Sequence, residues 1–469
     1  MDYNKMPTNS FDNFYLSWVP DKRTLSRPFY LSLANSLEAD IISGKLAAGT
    51  RLPPQRELAD YLDINFTTVT RAYDLCREKN LIYAVVGSGT FVSPLPGQTL
   101  SWKKNTPGMI ELGLINSFNQ LRAPVIEATE KILKKSYLEQ LYSYAEPAGH
   151  LHQRAAGAHW MAQMDVHTDC EHTAIFSGAQ NVISTTLLSL FKIGDKLAVD
   201  EYTYANLIGA AKLSHVSLLP VAGDPHGMLP QALEEICRKT KVSGVFLMPN
   251  CANPTTRTMT ESRKDELAEI AARYDLIVIE DDNTGILSDL PGTYHSLFTR
   301  LPGQTIYICN ATMALCNGLR VTFAAFPENF RSRLLEALFH LHIKSSSLDA
   351  EIITELILNG KAQKLLEQKR QLAVERNLLF NACFPEISPT GPREAFFRWL
   401  PLAPTKKSGP EIENDLRKKG VNVYHSCRFA VGRTQDHFLR FAISSPASQQ
   451  ELSRGLEIIR EYLKERSLL

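Results

Sequence analysis

The sequence predicts an α/β protein with a small helical head and a larger body built on a mainly parallel sheet. Two observations predict this division. Within the first ninety residues, apolar side chains recur at helical spacing and are followed by two short strand-like runs around a glycine turn. From about Met109 onward, short β-branched runs alternate with longer amphipathic runs, which is typical of helices that cover both faces of a parallel sheet.

The overall composition is that of a globular protein of two or three domains. The chain has 469 residues, of which 44% are hydrophobic and 22% are charged. A formal net charge of +1 produces no global field of the kind that marks many nucleic-acid binders. Residues 45–93 carry six Lys or Arg against five Asp or Glu, so a prediction of DNA binding must rest on pattern and not on charge.

The cysteines and the N-terminus predict the compartment. The eight cysteines are scattered without a Cys-x-x-Cys pair, which favours reduced thiols over a zinc site. The sequence does not begin with a basic-then-apolar leader, and no apolar run approaches the ~20 residues that a membrane-spanning helix needs. We therefore expect a cytoplasmic protein without a bound metal.

The helices of the head are predicted from spacing and capping. Apolar residues recur at every fourth position from Phe29 to Ile41 and predict a first helix that ends at 43–44. A turn at 49–54 opens a short second helix, and a third helix begins after Asn65, a residue type that caps helices. The third helix is expected to bury the side chains of Val69, Ala72, Tyr73 and Cys76.

A hairpin follows the third helix. Residues 81–86 and 90–92 are strand-like and flank Gly87-Ser88-Gly89. Three short helices and a hairpin make a winged helix-turn-helix, which we assign to residues 26–93, after an N-terminal extension at 1–25. A small helical module for dimerisation or capping is the alternative interpretation.

The motifs of the head occur in a specific order. Along the chain stand Gly44-x-Leu46-x-x-Gly49, Leu52-Pro53-Pro54-x-Arg56-x-Leu58-Ala59, Thr67-Thr68-Val69, Ala72-Tyr73 and Gly87-Ser88-Gly89-Thr90-Phe91-Val92. Together they resemble the GntR type of bacterial transcription regulator, and the resemblance implies that the third helix enters the major groove of double-stranded operator DNA. The candidate DNA contacts are Arg51, Arg56, Asn65, Phe66, Thr67, Thr68, Arg71, Gly87 and Gly89.

Position 66 departs from that family. The family usually has arginine there, and this chain has Phe66. Arginine reads guanine or holds phosphate, whereas phenylalanine contacts only thymine methyl groups or packs against the protein. The operator sequence of relatives therefore does not carry over.

A linker and the body follow the head. Residues 94–108 are polar and proline-containing and predict an extended linker. We expect a large domain at 109–345 and a smaller C-terminal α+β domain at 346–469. Examples of the predicted strands are 173–176, 196–199, 244–248, 276–279 and 305–309. In such a sheet, ligands bind at the carboxyl ends of the strands.

Polar residues follow several of these strands. Ser177-Gly178-Ala179-Gln180 opens a helix whose amides can hold a phosphate, although an ordinary strand–helix turn is an equal alternative. Tyr204 follows the next strand and is either a ligand-facing ring or a core tyrosine. Asn253-Pro254-Thr255-Thr256 and Glu280-Asp281-Asp282-Asn283 follow later strands. The carboxylates are also consistent with a helix cap or metal ligands.

Read in order, these motifs resemble the class I aminotransferases, of fold type I. The resemblance implies that Asn253 bonds the cofactor's phenolic oxygen and that Asp281 pairs with its pyridine nitrogen. Arg320 matches the arginine that holds the cofactor phosphate, and Arg440 the one that binds the substrate carboxylate, with an arginine that reaches solvent as the alternative. Tyr144 matches a residue that reaches the partner subunit's phosphate. The departures are Thr256 for glycine, Asn283 for tyrosine and Asn310 for serine.

The most informative departure is at position 313. The segment from 307 to 320 resembles the stretch in which a lysine binds pyridoxal phosphate as a Schiff base, and Met313 occupies the lysine position. A thioether has no nitrogen with which to form an imine or to move a proton at the substrate carbon. The resemblance therefore implies an aminotransferase-like body without its covalent attachment point.

A GntR-like head before an aminotransferase-like body resembles the MocR subgroup of bacterial regulators. The resemblance implies a homodimeric transcription factor whose body senses a small phosphate- or carboxylate-bearing molecule, with pyridoxal phosphate or a related vitamer bound only noncovalently. The candidate ligand contacts are Ser177, Gly178, Ala179, Gln180, Tyr204, Asn253, Asp281, Asn283, Asn310, Met313, Arg320 and Arg440. The alternatives are a body that only dimerises, a working aminotransferase with an accessory head, and a scaffold that binds neither DNA nor ligand.

Overall fold

A computed structural model describes most of the chain. The described residues are 17–43, 45–47, 49–79, 81–85, 89–93, 108–282, 285, 296–388, 390–432 and 437–469. The predicted positions Gly44, Gly87, Ser88 and Asn283 lie outside this set, and so do residues 94–107 of the predicted linker and residues 1–16 of the predicted extension. Contacts within the chain divide it into two compact units, Met1–Gly108 and Met109–Leu469.

The first unit is the predicted winged helix-turn-helix. Its helices are α1 (Phe29–Ile42), α2 (Gln55–Leu62) and α3 (Phe66–Glu78), and its antiparallel hairpin is β1 (Ile82–Val85) with β2 (Gly89–Val92). The three predicted helices are therefore confirmed.

A single core holds the first unit together. The buried residues of α3 are those that the spacing predicts, Val69, Ala72, Tyr73 and Cys76. The Tyr73 hydroxyl donates to the carbonyl oxygen of Pro53 at 2.9 Å, which satisfies its polar end inside this core. Trp18, ahead of α1, is also buried in the core and donates from Nε1 to Asp40 at 2.8 Å.

The second unit is an α/β domain with fourteen described strands. They are β3 (Ile110–Glu111), β4 (Thr173–Phe176), β5 (Lys196–Asp200), β6 (Ser217–Val221), β7 (Gly223–Asp224), β8 (Gly227–Met228), β9 (Gly244–Leu247), β10 (Ile277–Asp281), β11 (Thr305–Cys309), β12 (Thr322–Ala325), β13 (Arg398–Pro401), β14 (Val421–Asn422), β15 (Tyr424–His425) and β16 (Phe438–Phe441).

The central sheet has the strand order β4-β12-β11-β10-β9-β5-β6. Strands β5, β6, β9, β10 and β11 pair in parallel, whereas β12 runs antiparallel to both of its neighbours. The predicted mainly parallel sheet is confirmed. Strands β6 and β12 were not among the predicted strands.

Helices cover this sheet and form the rest of the unit. They are α4 (Ala123–Ile132), α5 (Leu138–Leu141), α6 (Leu151–Met161), α7 (Ala179–Leu190), α8 (Ala205–Leu213), α9 (Pro230–Lys239), α10 (Glu261–Arg273), α11 (Leu297–Arg300), α12 (Ala311–Ala314), α13 (Glu328–His342), α14 (Ser347–Leu358), α15 (Lys361–Cys383), α16 (Gly409–Lys418) and α17 (Gln449–Glu465).

The sheet separates two apolar cores because successive side chains of a strand point to opposite faces. In β11, Tyr307 and Cys309 join one core, and Ile306 and Ile308 join the other. All five residues of β11 are buried, as expected for a central strand covered on both faces.

The C-terminal part of the unit has its own small sheet and core. Strands β13, β16 and β15 pair in that order, and α15, α16 and α17 pack around them. Strand β3, at the beginning of the unit, pairs with β14. No helix in the described ranges combines the length and the apolar character needed to cross a membrane.

Candidate functional site

The N-terminal end of α7 forms a cradle for an anion. Gly178 precedes the helix with a φ of 88°, and no side chain caps this end. A Cβ at Gly178 would lie 2.0 Å from Nη2 of Arg320, so only glycine allows the guanidinium to approach this closely. Helix amides, the positive end of the helix dipole and a guanidinium together favour a phosphate.

Ser177 connects this cradle to the end of α13. Its hydroxyl lies 2.6 Å from Nε2 of His342 and donates to Ser345 Oγ at 3.2 Å. Ser345 in turn donates to the carbonyl oxygen of Ile175 at 3.1 Å. His342 was not predicted as a site residue, because it is distant in sequence from the Ser177 motif.

Three consecutive carboxylates lie at the carboxyl end of strand β10, and two of them have hydrogen-bond partners within the protein. Glu280 accepts from the hydroxyl of Ser296 at 2.5 Å and from the amide of Phe298 at 3.1 Å, so it caps α11. Asp282 accepts from Asn250 Nδ2 at 2.9 Å and from the Tyr307 hydroxyl at 2.8 Å. The helix-cap interpretation therefore applies to Glu280.

Asp281 is the carboxylate without such partners. Both of its oxygens are buried, and neither is hydrogen-bonded to a residue that the structure describes. Burial raises the pKa of this carboxyl to about 8, and the charge of Asp282 adds to the shift. A buried acid without a donor is costly unless a cationic or proton-bearing group faces it. The protonated nitrogen of a pyridine ring fits this requirement.

Three charged residues of the site influence the pKa of the Tyr204 phenol. Burial raises the pKa of its phenol, and the negative charge of Asp281 raises it further, whereas Arg320 and Arg440 lower it. The phenol oxygen accepts from Asn206 Nδ2 at 2.9 Å. The charges of Asp281, Arg320 and Arg440 therefore all act on the Tyr204 phenol.

Asn253 presents a second unpartnered acceptor. Its Oδ1 is buried and has no hydrogen-bond partner among the described residues, so an external donor could bond to it. Thr256, where the resemblance expects glycine, has a φ of 57° and donates to the carbonyl oxygen of Thr255 at 2.7 Å. The turn therefore keeps the left-handed conformation at a strain cost.

Gln180 and Asn310, two other predicted contacts, are held by local bonds. Gln180 donates from Nε2 to the carbonyl oxygen of Asn206 at 3.4 Å, while its buried Oε1 has no partner in the described chain. Asn310 Oδ1 accepts from the Thr312 amide at 3.1 Å and from the Thr322 hydroxyl at 3.0 Å. Asn310 is thus the N-cap of α12.

Arg440 is a buried guanidinium in β16. Its Nε and Nη1 have no hydrogen-bond partner among the described residues. The guanidinium lies 5.4 Å from the ring centres of both Tyr424 and Phe429 and 5.9 Å from that of Phe397. Burial lowers its pKa to about 10. The charge does not reach solvent and is available for a ligand carboxylate.

Met313 is half-buried in the short helix α12, and Lys369 lies next to the backbone at the end of this helix. The hydroxyl of Ser117 donates to the carbonyl oxygen of Met313 and accepts from Nζ of Lys369 at 2.5 Å. Lys369 also donates to the carbonyl oxygen of Leu315 at 2.6 Å. Burial lowers the pKa of Lys369 to about 7.

Sequence reasoning missed Lys369, although the sequence contains a signal. The buried residues of α15 recur at helical spacing as Ala362, Leu365, Leu366, Lys369, Ala373, Arg376, Asn377 and Phe380. A lysine on that apolar stripe indicates a buried amine.

The predicted DNA contacts of the head lie near its surface. Exposed residues include Arg51, Arg56, Asn65, Phe66, Thr67, Arg71 and Gly89, while Thr68 is half-buried. The Arg51 side chain packs on Gly89, where a Cβ would lie 2.9 Å from its Nε. Arg71 stacks 4.2 Å above the ring centre of Tyr30.

A metal site is not indicated. No group of three or more His, Cys, Asp or Glu in the described parts of the chain is placed to hold a metal ion.

Tyr144 is 85% exposed, and its ring is free to contact another molecule.

Two family models match the chain. Aminotransferase class I and II matches residues 113–459, and bacterial regulatory proteins, gntR family, matches residues 29–92. Among solved structures, an archaeal alanine:glyoxylate aminotransferase has a TM-score of 0.71 at 21% identity, covering 76% of this chain and 91% of that one. This likeness confirms the predicted fold of the body.

Curated relatives share both parts. The uncharacterised HTH-type transcriptional regulator YdeF of Bacillus subtilis is 35% identical over 98% of this chain and 99% of its own. The vitamin B6 salvage pathway transcriptional repressor PtsJ of Salmonella typhimurium is 26% identical over 88% of this chain and 93% of its own. The chain therefore belongs to the aminotransferase class I and II family, in the MocR-like group of HTH-type regulators that carry a gntR head.

Proposed function

We propose that this protein is a DNA-binding transcriptional regulator whose aminotransferase-like body senses a small ligand. The gntR match to the head, the winged helix-turn-helix fold and the regulator names of relatives that span the whole chain support this function. An aminotransferase that merely carries an accessory head is the less favoured alternative.

The ligand that these site residues fit is a vitamer of the pyridoxal phosphate class. The observation that carries this proposal is the buried, unpartnered carboxylate of Asp281, which matches a pyridinium nitrogen. The cradle of Gly178 and Arg320 fits a phosphate, and the open Oδ1 of Asn253 fits a phenolic hydroxyl. When bound, such a ring supplies an electron sink. The name of the Salmonella relative, a vitamin B6 salvage repressor, agrees with this ligand class.

We propose that binding is noncovalent and that the body does not catalyse transamination. The proposed alignment puts Met313 at the attachment position, and a thioether can neither form an imine nor transfer a proton. Lys369 lies next to the segment that contains Met313, where its amine donates to the hydroxyl of Ser117 and to the carbonyl oxygen of Leu315. Its role is to position the loop. Conversion of any amino-acid and keto-acid pair by the purified protein would contradict this proposal.

We also propose a homodimer, assembled through the body. Large apolar side chains are exposed on or just after α4, α5 and the end of α13, and at the start of α6. They are Ile126, Leu133, Tyr142, Tyr144, Leu151, Phe339, Leu341 and Ile343. Exposed apolar area of this kind marks an interaction surface, and the bond between Ser177 and His342 supports a position of the end of α13 beside the cradle. A second copy would cover both.

Calorimetric titration with pyridoxal phosphate and pyridoxamine phosphate tests the ligand proposal. We expect heat and thermal stabilisation with both vitamers, and no borohydride-trapped adduct with the aldehyde form. Because pyridoxamine phosphate lacks the aldehyde, equal behaviour of the two would support noncovalent binding. Asp281→Asn should lose this heat, whereas the matched control Asp200→Asn, at a carboxyl that lines a pocket with Met248 and Met259, should keep it. Absence of heat with both vitamers would remove the sensing proposal and leave DNA binding to be tested separately.

A further inference from the structure

Most polar side chains at the start of the recognition helix α3 are already engaged within the head. Asn65 Oδ1 accepts from the Thr67 amide and from the Thr67 hydroxyl, each at 2.8 Å. Thr70 donates to Gln55 Oε1 at 2.8 Å and lies 3.1 Å from the carbonyl oxygen of Phe66. Using these groups to read a base edge would break a cap or a bond between helices.

Phe66 is the first residue of α3, and its ring faces outward. Its side chain is 42% exposed, and it does not belong to the core of the head. Asn65, and not Phe66, provides the cap of the helix. The ring is therefore outside the buried core, and an exposed phenylalanine at this end of a recognition helix is placed to meet the floor of a major groove.

Arg56 of α2 lies beside this ring. The centre of its guanidinium is 5.8 Å from the centre of the Phe66 ring. The pair combines an apolar face with a positive charge that can hold a neighbouring phosphate. In the major groove, the apolar group that distinguishes one base from the others is the C5 methyl of thymine.

We propose that Phe66 determines operator specificity by packing on a thymine methyl group, while Arg56 holds the adjacent phosphate of the DNA backbone. This inference rests on the proposed DNA-binding function. Replacing the contacted thymine by uracil removes only this methyl group and keeps every Watson–Crick hydrogen bond. We expect a roughly four-fold loss of affinity for each contacted thymine, equal to about 0.8 kcal/mol.

The test uses duplexes that the full-length protein enriches from a random-sequence pool. An enriched duplex is resynthesised with uracil at one thymine at a time, and competition gel shifts give the ratio of affinities. We expect one or two positions per half-site to show the loss. In Phe66→Ala, the ratio at those positions should return to one. The matched control Leu31→Ala, at an exposed apolar residue of α1, should keep the wild-type ratio.

The outcomes separate this inference from the proposed function. Failure to enrich any duplex would overturn DNA recognition and this inference with it. Enrichment with no effect of uracil at any position would overturn the inference alone, and so would a uracil effect of the same size in Phe66→Ala. Phe66→Arg provides a second measurement, because a guanidinium should replace the thymine preference by a preference for guanine at the same position.

Discussion

The amine of Lys369 lies 2.6 Å from the carbonyl oxygen of Leu315, two residues beyond Met313. The contact joins the long helix α15 to the loop in which the family's attachment lysine is expected. The same amine donates to Ser117, whose hydroxyl donates to the carbonyl oxygen of Met313. Hydrogen bonds to Ser117 and Lys369 thus hold the backbone of this loop, and the Met313 thioether has no nitrogen with which to form an imine.

Restoring an amine at position 313 should restore covalent binding. Met313→Lys is expected to give a visible absorbance with pyridoxal phosphate and, after borohydride reduction, a modified peptide that contains residue 313. Met313→Arg is the control, because a guanidinium carries charge but does not form an imine. If the modified peptide in Met313→Lys contained Lys369 and not position 313, the proposed register of this loop would be wrong.

Asp281→Asn should weaken vitamer binding and, without ligand, stabilise the folded protein relative to wild type at high pH. The folded-state pKa of Asp281 is about 8, above its ordinary value of 3.8, so the folded protein holds an extra proton between these values. Its contribution to stability is present below about pH 4 and is lost as the pH rises through about 8. Without ligand, the variant should therefore gain stability relative to wild type with rising pH, measured as urea midpoints at several pH values. Its vitamer affinity should fall at least about ten-fold.

The structural partner Asp282 provides the control for this experiment. Asp282→Asn removes a carboxylate that accepts bonds from Asn250 and Tyr307. It should destabilise the protein, because buried donors lose a charged acceptor. Equal effects of the two substitutions would contradict the assignment of Asp281 as the acid that is open to ligand.

Lys369→Met should change the pH dependence in the opposite direction. The folded-state pKa of Lys369 is about 7, below its ordinary value of 10.5, so the folded protein holds fewer protons between these values. The amine therefore makes wild-type stability rise with pH from about 7 to 10.5. The variant should lose this part of the slope in denaturation measurements, whereas Lys344→Met, at a less buried lysine, should keep most of it. An unchanged slope would show that Lys369 is solvated.

Arg440 should matter only for ligands that carry a carboxylate. A phosphopyridoxyl amino acid, which carries both a phosphate and a carboxylate, tests this selectivity. Arg440→Leu is expected to weaken binding of phosphopyridoxyl-leucine by about thirty-fold or more, since an unpaired carboxylate is left in the pocket. Binding of pyridoxamine phosphate should change much less. Equal losses in calorimetric titration would indicate a structural role for the arginine.

The regular elements could be predicted because local patterns determine them. The strand Thr173–Phe176 and the strand Thr305–Cys309 have the predicted bounds, since β-branched and apolar runs between polar turns leave few alternatives. Helix α3 begins after Asn65 as its capping side chain predicts. Strand β12, with the sequence Thr-Phe-Ala-Ala, has weak strand propensity, and its position between two partners makes it a strand.

The site could be predicted only in part. Alternation along β10 could have separated Asp281 from Glu280 and Asp282, because neighbouring side chains of a strand face opposite ways. The contact of Lys369 with Ser117 joins residues 252 positions apart, and no local pattern predicts such a pair. The same holds for Ser177 and His342, which meet because α13 returns to the cradle.

The separate roles of Asn65, which caps α3, and Phe66, which is exposed beside it, have an evolutionary consequence. Asn65 supplies the N-cap of the helix, while the neighbouring ring of Phe66 does not belong to the core. If Phe66 determines the operator as proposed, a mutation at position 66 alters the set of genes under control and leaves the core of the head intact. Paralogous copies of such a head could diverge in their targets through single substitutions, each remaining as well folded as its ancestor.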